Sequence, residues 1–533
     1  MAIKNIIVCA DGTGNKGGYS PDSNVYKIYK AVDKNFSGRA DNGDEICEQI
    51  VFYDNGVGTE KNKYLRALGG ALGFGFGRNV CDLYKYIARN YVEGDRIYFF
   101  GFSRGASTVR ACNGMINKCG LVKGAGLRNR ELDALVSEAF EVYKEHKENP
   151  QRAENFKNAE QSHGAVPIHF LGVWDTVVAL GFPKRTDITG PVTLVMNVLF
   201  AAFEEALDFV WPHSFYHYKL TDNVEYAYQA LAIDDERTAF WPYVWQEKNI
   251  EGAADRTREN VEQVWFAGMH SNVGGGYERS GMAGVPLHWM AQRAKKQGLV
   301  FDANLLQEIY SGSHVHGRMY NSRDGFGFFY RYHPREIEKL CAGKLLDDCV
   351  KIHSSVVERM NHRTANYAPG YIPAEFDVVD SEVPAGSTLL KPGGNNQWAL
   401  TRGFIDKTVL YRKHLYGVMV TAVTFVLVMA FKFSDDSLPA ESGNIFLDRL
   451  AGFFHSVLPD FFTGLINKAV VQDSYYFIGA IAFVLLYLKA RRYLHRETSQ
   501  LCETLRHYII ADSAQKIDCN KNSAADDVAK SKD

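Results

Sequence analysis

The chain is short of proline, with 15 in 533 residues, and nearly without net charge, with 60 basic against 62 acidic side chains. It also lacks any Cys-x-x-Cys pair. Each shortage excludes something. Near-neutrality removes the global electrostatic reason to expect nucleic acid as a partner. An odd set of nine scattered cysteines reads as reduced thiols in a cytoplasmic setting, not as a disulfide framework. Few prolines beside 47 glycines, with aromatics at 13%, argue against disorder, collagen and low complexity. The opening MAIKNIIVCADGTGN has an apolar run too short for a signal peptide and reads instead as a buried first strand. The glycine run Gly69–Gly77 is followed by Arg78 and Val80, so it fits neither G-x-G-x-x-G nor a phosphate loop ending in GK[ST].

What is present is an alternation of short apolar runs with longer helical patterns. Strands are expected at Ile3–Ala10, Gln49–Tyr53, Arg96–Phe102, Ile168–Trp174 and Val264–Ala267, and helices across Asn24–Asp33, Arg78–Tyr91 and Arg104–Lys118. That order predicts an α/β fold whose mostly parallel sheet is covered by helices on both faces. Ligands then bind beyond the carboxyl ends of the strands, and three such positions carry compatible chemistry.

Gly101-Phe102-Ser103-Arg104-Gly105 fits G-x-S-x-G between the strand RIYFF and a helix. A serine on so sharp a turn needs small neighbours two positions away, and the turn projects its hydroxyl into the cleft. A histidine must take its proton and a carboxylate must orient the histidine. Asp175 follows the strand PIHFLGVW and His270 follows QVWFAG, which gives the chain order Ser…Asp…His of α/β-hydrolases. Asp234 and Asp235, in ALAIDDER, are alternative acids, with Asp187 and Asp208 behind them. The amide of Arg104, opening the helix, is the natural first oxyanion donor, and Gly12 or Thr13 could supply the second. Otherwise Asp11 and Asn15 would hold the cleft together. The Asp-Gly-Thr turn is similar to that of haloacid-dehalogenase phosphatases, but Cys9 stands where their nucleophilic aspartate would be.

Taken in order, CADGTGN, SNVYKIY, VFYDNGVGT, GDRIYFFGFSRGA, FLGVWDTV, ALAIDDER and MHSNVGGGY resemble the catalytic domain of type VI secretion lipase effectors over roughly residues 3–375. The resemblance implies an α/β-hydrolase phospholipase with Ser103 as nucleophile, His270 as base and Asp175 as acid. It implies hydrolysis of carboxylic esters of glycerophospholipids with no metal or other cofactor in the triad. A secretion-system component and an immunity protein join membrane phospholipid as candidate partners. The apolar stretch Val192–Phe215 could form a lid or acyl-chain pocket, or an ordinary pair of core helices.

The last third differs from the rest. Leu415–Phe431 is seventeen residues without a charge, about 26 Å of helix against a hydrocarbon core of roughly 30 Å. Ser474–Leu488 is a second, shorter run. Arg412 and Lys413 precede the first, and Lys489, Arg491, Arg492 and Arg496 follow the second, whereas Ser434–Asp473 carries six acids and two bases. By the positive-inside rule this reads as a transmembrane hairpin with both ends cytoplasmic, with a pair of buried core helices as the alternative. Phe446–Ile466 is expected to lie as an amphipathic helix on the outer surface. The expected division is therefore residues 1–400, catalytic, and 401–533, a membrane region with helices over 415–433 and 471–488 and a basic cytoplasmic tail. A membrane-associated phospholipase, either an antibacterial toxin delivered into another cell or an effector that damages its own cell's membrane, is the leading expectation. An esterase for soluble or protein-linked esters, and a bilayer-perturbing protein with the hydrolase fold as scaffold, are the alternatives.

Overall fold

The computed structural model describes residues 3–55, 75–177, 216–248, 260–380, 396–432 and 444–530, apart from 13, 14, 16, 20, 217, 326, 328, 329, 347, 348, 374, 375 and 459. Nine strands form one sheet: β1 (Ile3–Ala10), β2 (Gly38–Arg39), β3 (Glu45–Asp54), β4 (Arg96–Phe102), β5 (Ile168–Trp174), β6 (Val224–Ala232), β7 (Val261–Phe266), β8 (Val350–His353) and β9 (Phe376–Val379). Their order is β2-β3-β1-β4-β5-β6-β7-β8-β9. Only β2, at the edge, runs antiparallel to its neighbour.

Both faces are buried, which is why the strands read as continuous apolar runs. In β1, Ile6, Val8 and Ala10 pack beneath α2 (Phe76–Asn90) and α3 (Arg104–Cys119). Ile7 and Cys9 point the other way, beneath α1 (Asn24–Ala31) and the helix Gly281–Lys296. β4 divides likewise, Ile97 and Phe99 against Tyr98 and Phe100. From β1 the chain steps outward to β3, crosses back to β4, and then moves away through β5 to β9. The order reverses between β1 and β4, so the crevice beyond those two strands is the place where such sheets bind ligands. Asp11 and Gly12 end one strand there, and Ser103 ends the other.

Three further helices matter below: α4 (His270–Gly274), α5 (Gly281–Lys296) and α6 (Ser354–Asn361). After them come α7 (Asn396–Lys432), α8 (Ile445–Val457) and α9 (Ser474–Lys530), of which α7 and α9 pack side by side. The near halves of this pair dock on the sheet domain. Ile405, Val409, Cys502 and Leu505 are buried with Tyr332 and Tyr371, Arg412 pairs with Glu236 at 3.2 Å, and Arg506 donates to the Tyr367 carbonyl at 3.0 Å. The far halves are bare: Phe425 is 63% exposed, Ile478 65% and Leu486 68%.

Among the described residues one helix, over Gln397–Ala430, is long and apolar enough to cross a membrane. It begins well before the expected residue 415, because its docked first half is part of the same helix, and the expected boundary at residue 401 falls inside it. The second helix starts at Ser474 instead of 471 and runs on past 488 to Lys530. It qualifies as a span only together with Thr463–Gln472, from which it is bent by 99°. A straight helix through this point would carry Asp473 into the apolar run. The bend instead leaves Asp473 at the corner, paired with Lys468 at 2.8 Å, while Val470 and Val471 fold back onto Ala451 and Ile466. The expected single helix over Phe446–Ile466 is divided: α8 covers only Ile445–Val457, with Phe446 and Phe453 exposed and Phe454 turned into that small cluster, and the remainder forms the short turns Asp460–Phe462 and Thr463–Ile466.

Candidate active site

The elements deliver their functional side chains through strained turns. Ser103 adopts φ 58° and ψ −123°, a conformation that costs a non-glycine residue about 1–3 kcal/mol. The surrounding glycines make the turn possible. A Cβ on Gly101 would lie 2.6 Å from Ala106 Cα, and one on Gly105 would lie 2.1 Å from the Ala10 carbonyl oxygen. The G-x-S-x-G spacing is thus a demand of strand-to-helix packing. Asp175, closing β5, also has positive φ, 42°, and is completely buried.

His270, the first residue of α4, spans the two. Its Nε2 lies 2.8 Å from Ser103 Oγ and its Nδ1 lies 2.6 Å from Asp175 Oδ2. The ring sits between Phe102 and Phe240, with centroids 4.6 and 5.0 Å away. α4 is itself held in place by Asn24 of α1, whose Nδ2 donates to the carbonyls of Val273 and Ala283, each at 2.8 Å. This explains why SNVYKIY accompanies the histidine motif.

Sequence reasoning missed Arg335. Its fully buried guanidinium grips Asp175 with both terminal nitrogens, at 2.6 and 2.7 Å, and also donates to the carbonyls of Ala232 (2.5 Å) and Phe240. The Ala232 amide adds a fourth donor to the carboxylate, at 3.0 Å. Burial would raise the Asp175 pKa, but the Arg335 charge and the hydrogen bonds from His270 and Arg335 outweigh it. The carboxyl is held well below its usual range. Burial lowers the His270 pKa, partly offset by Asp175, so the ring is neutral near pH 7, as a general base requires. No local sequence signal marks Arg335, which lies 160 residues beyond its partner.

The alternative acids take other places. Asp235 accepts from the His270 backbone amide at 3.2 Å and pairs with Arg237 at 2.6 Å, so it steadies the histidine's main chain and does not touch the ring. Asp234 accepts from the Gly268 amide and the Tyr367 hydroxyl. Asp187, Asp208 and the Val192–Phe215 stretch lie outside the described residues, as does Thr13. Gly12 is present at the crevice, but its N–H donates to Asp11 Oδ1 at 2.6 Å, which leaves no hydrogen for an oxyanion in this geometry. Asp11 also accepts from Asn15, Ser23 and Tyr53. It therefore ties β1, β3 and the turn before α1 together, the cleft-holding role considered from the sequence. Arg104 opens the first turn of α3 directly after Ser103.

Comparison with known proteins gives the assembly a family. The catalytic-domain model of the Tle1-like phospholipase effectors of the type VI secretion system matches residues 4–293, more than half of the chain. The chain belongs to that family. All three residues Ser103, Asp175 and His270 lie within the match, which stops short of residue 375, leaving Arg335 and the helix pair beyond it. An uncharacterised yeast protein, YEL023C of Saccharomyces cerevisiae, is 32% identical over 218 residues, 37% of this chain and 30% of its own. A solved uncharacterised protein from Pseudomonas aeruginosa is 16% identical, with TM-score 0.33 over 59% of this chain and 49% of that one. A Tle1 effector solved bound to the VgrG spike is 17% identical, with TM-score 0.28 over 52% of each chain. The chain thus spans about a third of the yeast relative's length and about half of each solved relative's.

Proposed function

We propose that this Tle1-like chain is a serine phospholipase of α/β-hydrolase type that cleaves carboxylic esters of membrane glycerophospholipids. The observation that carries the reading is the unbroken hydrogen-bonded line from Ser103 Oγ through His270 to Asp175, in a family of phospholipase effectors. Ser103 attacks the ester carbonyl as His270 Nε2 takes its proton. Asp175 keeps the Nδ1–H tautomer in place and stabilises the imidazolium that forms. The developing oxyanion lies at the start of α3, where the Arg104 amide and the helix dipole favour negative charge. His270 then protonates the departing lysophospholipid alkoxide, and water releases the fatty acid by the same steps in reverse. None of these steps calls on a cofactor.

The far halves of α7 and α9 enter the bilayer, and the docked near halves hold the crevice beside it. Encounter with a bilayer lipid then becomes local instead of bimolecular. By the family reading the chain travels on a secretion spike of the kind seen with its solved relative and is matched by an immunity protein. Vesicles of phosphatidylethanolamine and phosphatidylglycerol test the chemistry. The wild-type chain should release fatty acid and lysophospholipid, and Ser103→Ala should release neither. Equal release by the variant would rule the reading out. Turnover of short soluble esters with none on vesicles would favour the esterase alternative.

A further inference from the structure

We infer that His316, Glu358 and His362 form a surface site for a borderline-soft divalent cation such as zinc, bracing the loop that carries His316. The three exposed side chains each offer a ligand atom, and these atoms lie within 4.8 Å of one another. Glu358 and His362 are four residues apart at the end of α6, so they share one side of it. His316 approaches from a separate loop, with Nε2 3.1 Å from Glu358 Oε1 and its ring centroid 4.9 Å from that of His362.

His362 is set for ligation, whereas His316 Nε2, 3.1 Å from a Glu358 oxygen that can only accept, has to shed its hydrogen when the cation binds. His362 Nδ1 lies 3.0 Å from the Glu358 carbonyl oxygen, which can only accept, so Nδ1 carries the hydrogen and Nε2 is left with its lone pair. His316 Nδ1 lies 2.6 Å from Thr364 Oγ1, the kind of outer partner that orients a ligating imidazole. The loop is also held from behind. Arg359, buried on the inner side of α6, donates to the carbonyls of Val315 and Gly317, the residues flanking His316. Two imidazoles and one carboxylate are a zinc ligand set with the fourth position left to water. Drawing these atoms to bonding distances of about 2.0–2.2 Å asks only for small shifts of exposed side chains.

The same loop reaches the active site. Asn272, two residues after His270, donates to the Arg318 carbonyl and accepts from the Tyr320 amide, at 3.1 and 3.0 Å. A cation at the site would therefore stiffen the support of α4 without touching the triad.

The test uses the full chain in detergent, stripped with chelator and titrated with zinc or cobalt alone. One saturable equivalent is expected that the His316→Ala/His362→Ala double variant lacks, with a zinc-dependent rise in melting temperature that also disappears. Cobalt should give visible d–d bands without the thiolate charge-transfer absorption that the chain's cysteines would produce. Thr364→Val, which keeps all three ligands, should weaken zinc affinity by about 10- to 100-fold. Equal stoichiometry in wild type and double variant, or cobalt spectra dominated by thiolate bands, would overturn the assignment.

Discussion

The sheet domain and the helix pair solve opposite solvation problems. Around the crevice, charge is buried and answered: Asp175 by Arg335, and Asp235 by Arg237. In the far halves of α7 and α9, apolar side chains such as Phe425, Ile478 and Leu486 face outward and stay mostly exposed among the described residues. A soluble protein rarely leaves so continuous an apolar surface bare. The first arrangement shuts water away from buried charge, and the second leaves an outward apolar surface that the proposed bilayer contact would cover. The near halves of α7 and α9 join them, and Arg412 serves both sides: it flanks the apolar run and pairs with Glu236, one residue past Asp235.

If chemistry belongs to the sheet domain alone, the largest effect comes from Ser103→Ala. Turnover of a short soluble ester and of vesicle lipid should both fall by about 10⁴-fold or more, while co-sedimentation with vesicles is unchanged. Loss of vesicle binding in this variant would break the separation of roles.

Next comes the buried pair. Arg335→Met removes the guanidinium and leaves Asp175 in place, fully buried. Stranding one partner of such a pair costs about 3–5 kcal/mol, read as a lower denaturation midpoint at pH 7. The sign follows from the depressed carboxyl. In the wild type this stability is complete above the ordinary aspartate pKa and is lost as pH falls through the lower folded value. Without Arg335, burial dominates and the carboxyl rises, so the acid limb of the ester hydrolysis profile should move upward. An unmoved acid limb would reduce Arg335 to a packing role.

The third effect belongs to the helix pair. Val426→Asp puts a charge in the middle of the far half of α7, at a residue 45% exposed. An aspartate at the centre of a membrane helix is disfavoured by about 2.5–3.5 kcal/mol. Vesicle binding and vesicle hydrolysis should fall together, with short-ester turnover intact. Unchanged vesicle binding would mean that the far halves do not enter the bilayer.

How much of this could be read from the sequence followed the range of the interactions. The five expected strands are all present, because burial on both faces writes itself as contiguous apolar runs. Four strands are not legible: β2, β8 and β9, whose two to four residues make no run, and β6, whose nine residues VEYAYQALA are broken by Glu225 and Gln229. Ser103, Asp175 and His270 were legible because each sits at a strand end. Arg335 and the grip of Asn24 on α4 were not, for such contacts depend on which distant loops the sheet brings together. The bend at Asp473 is not legible, since the expected helix over 471–488 runs straight through that charge and the structure breaks there instead.

The smallest effect lies where the two regions meet. Asp234 is half-buried, accepts from Gly268 and Tyr367, and sits beside the residue whose carbonyl Arg506 of α9 holds. Among the described residues no guanidinium pairs with it directly; Arg359 acts on it only through space. Burial pushes its pKa up to about 6, against the opposing pull of those hydrogen bonds. A carboxyl raised on folding binds its proton more tightly in the native state. Its contribution is therefore present below the unfolded value near 4 and is lost as pH rises through about 6. Asparagine can accept the same two hydrogen bonds and never ionises. Asp234→Asn should thus match wild type near pH 4 and exceed its stability at pH 7.5 by on the order of 2 kcal/mol, measured by urea denaturation at both pH values. Asp175→Asn should do the reverse and lose stability at neutral pH. If both substitutions destabilise at pH 7.5, the contrast between a carboxylate gripped by a guanidinium and one held by neutral donors fails.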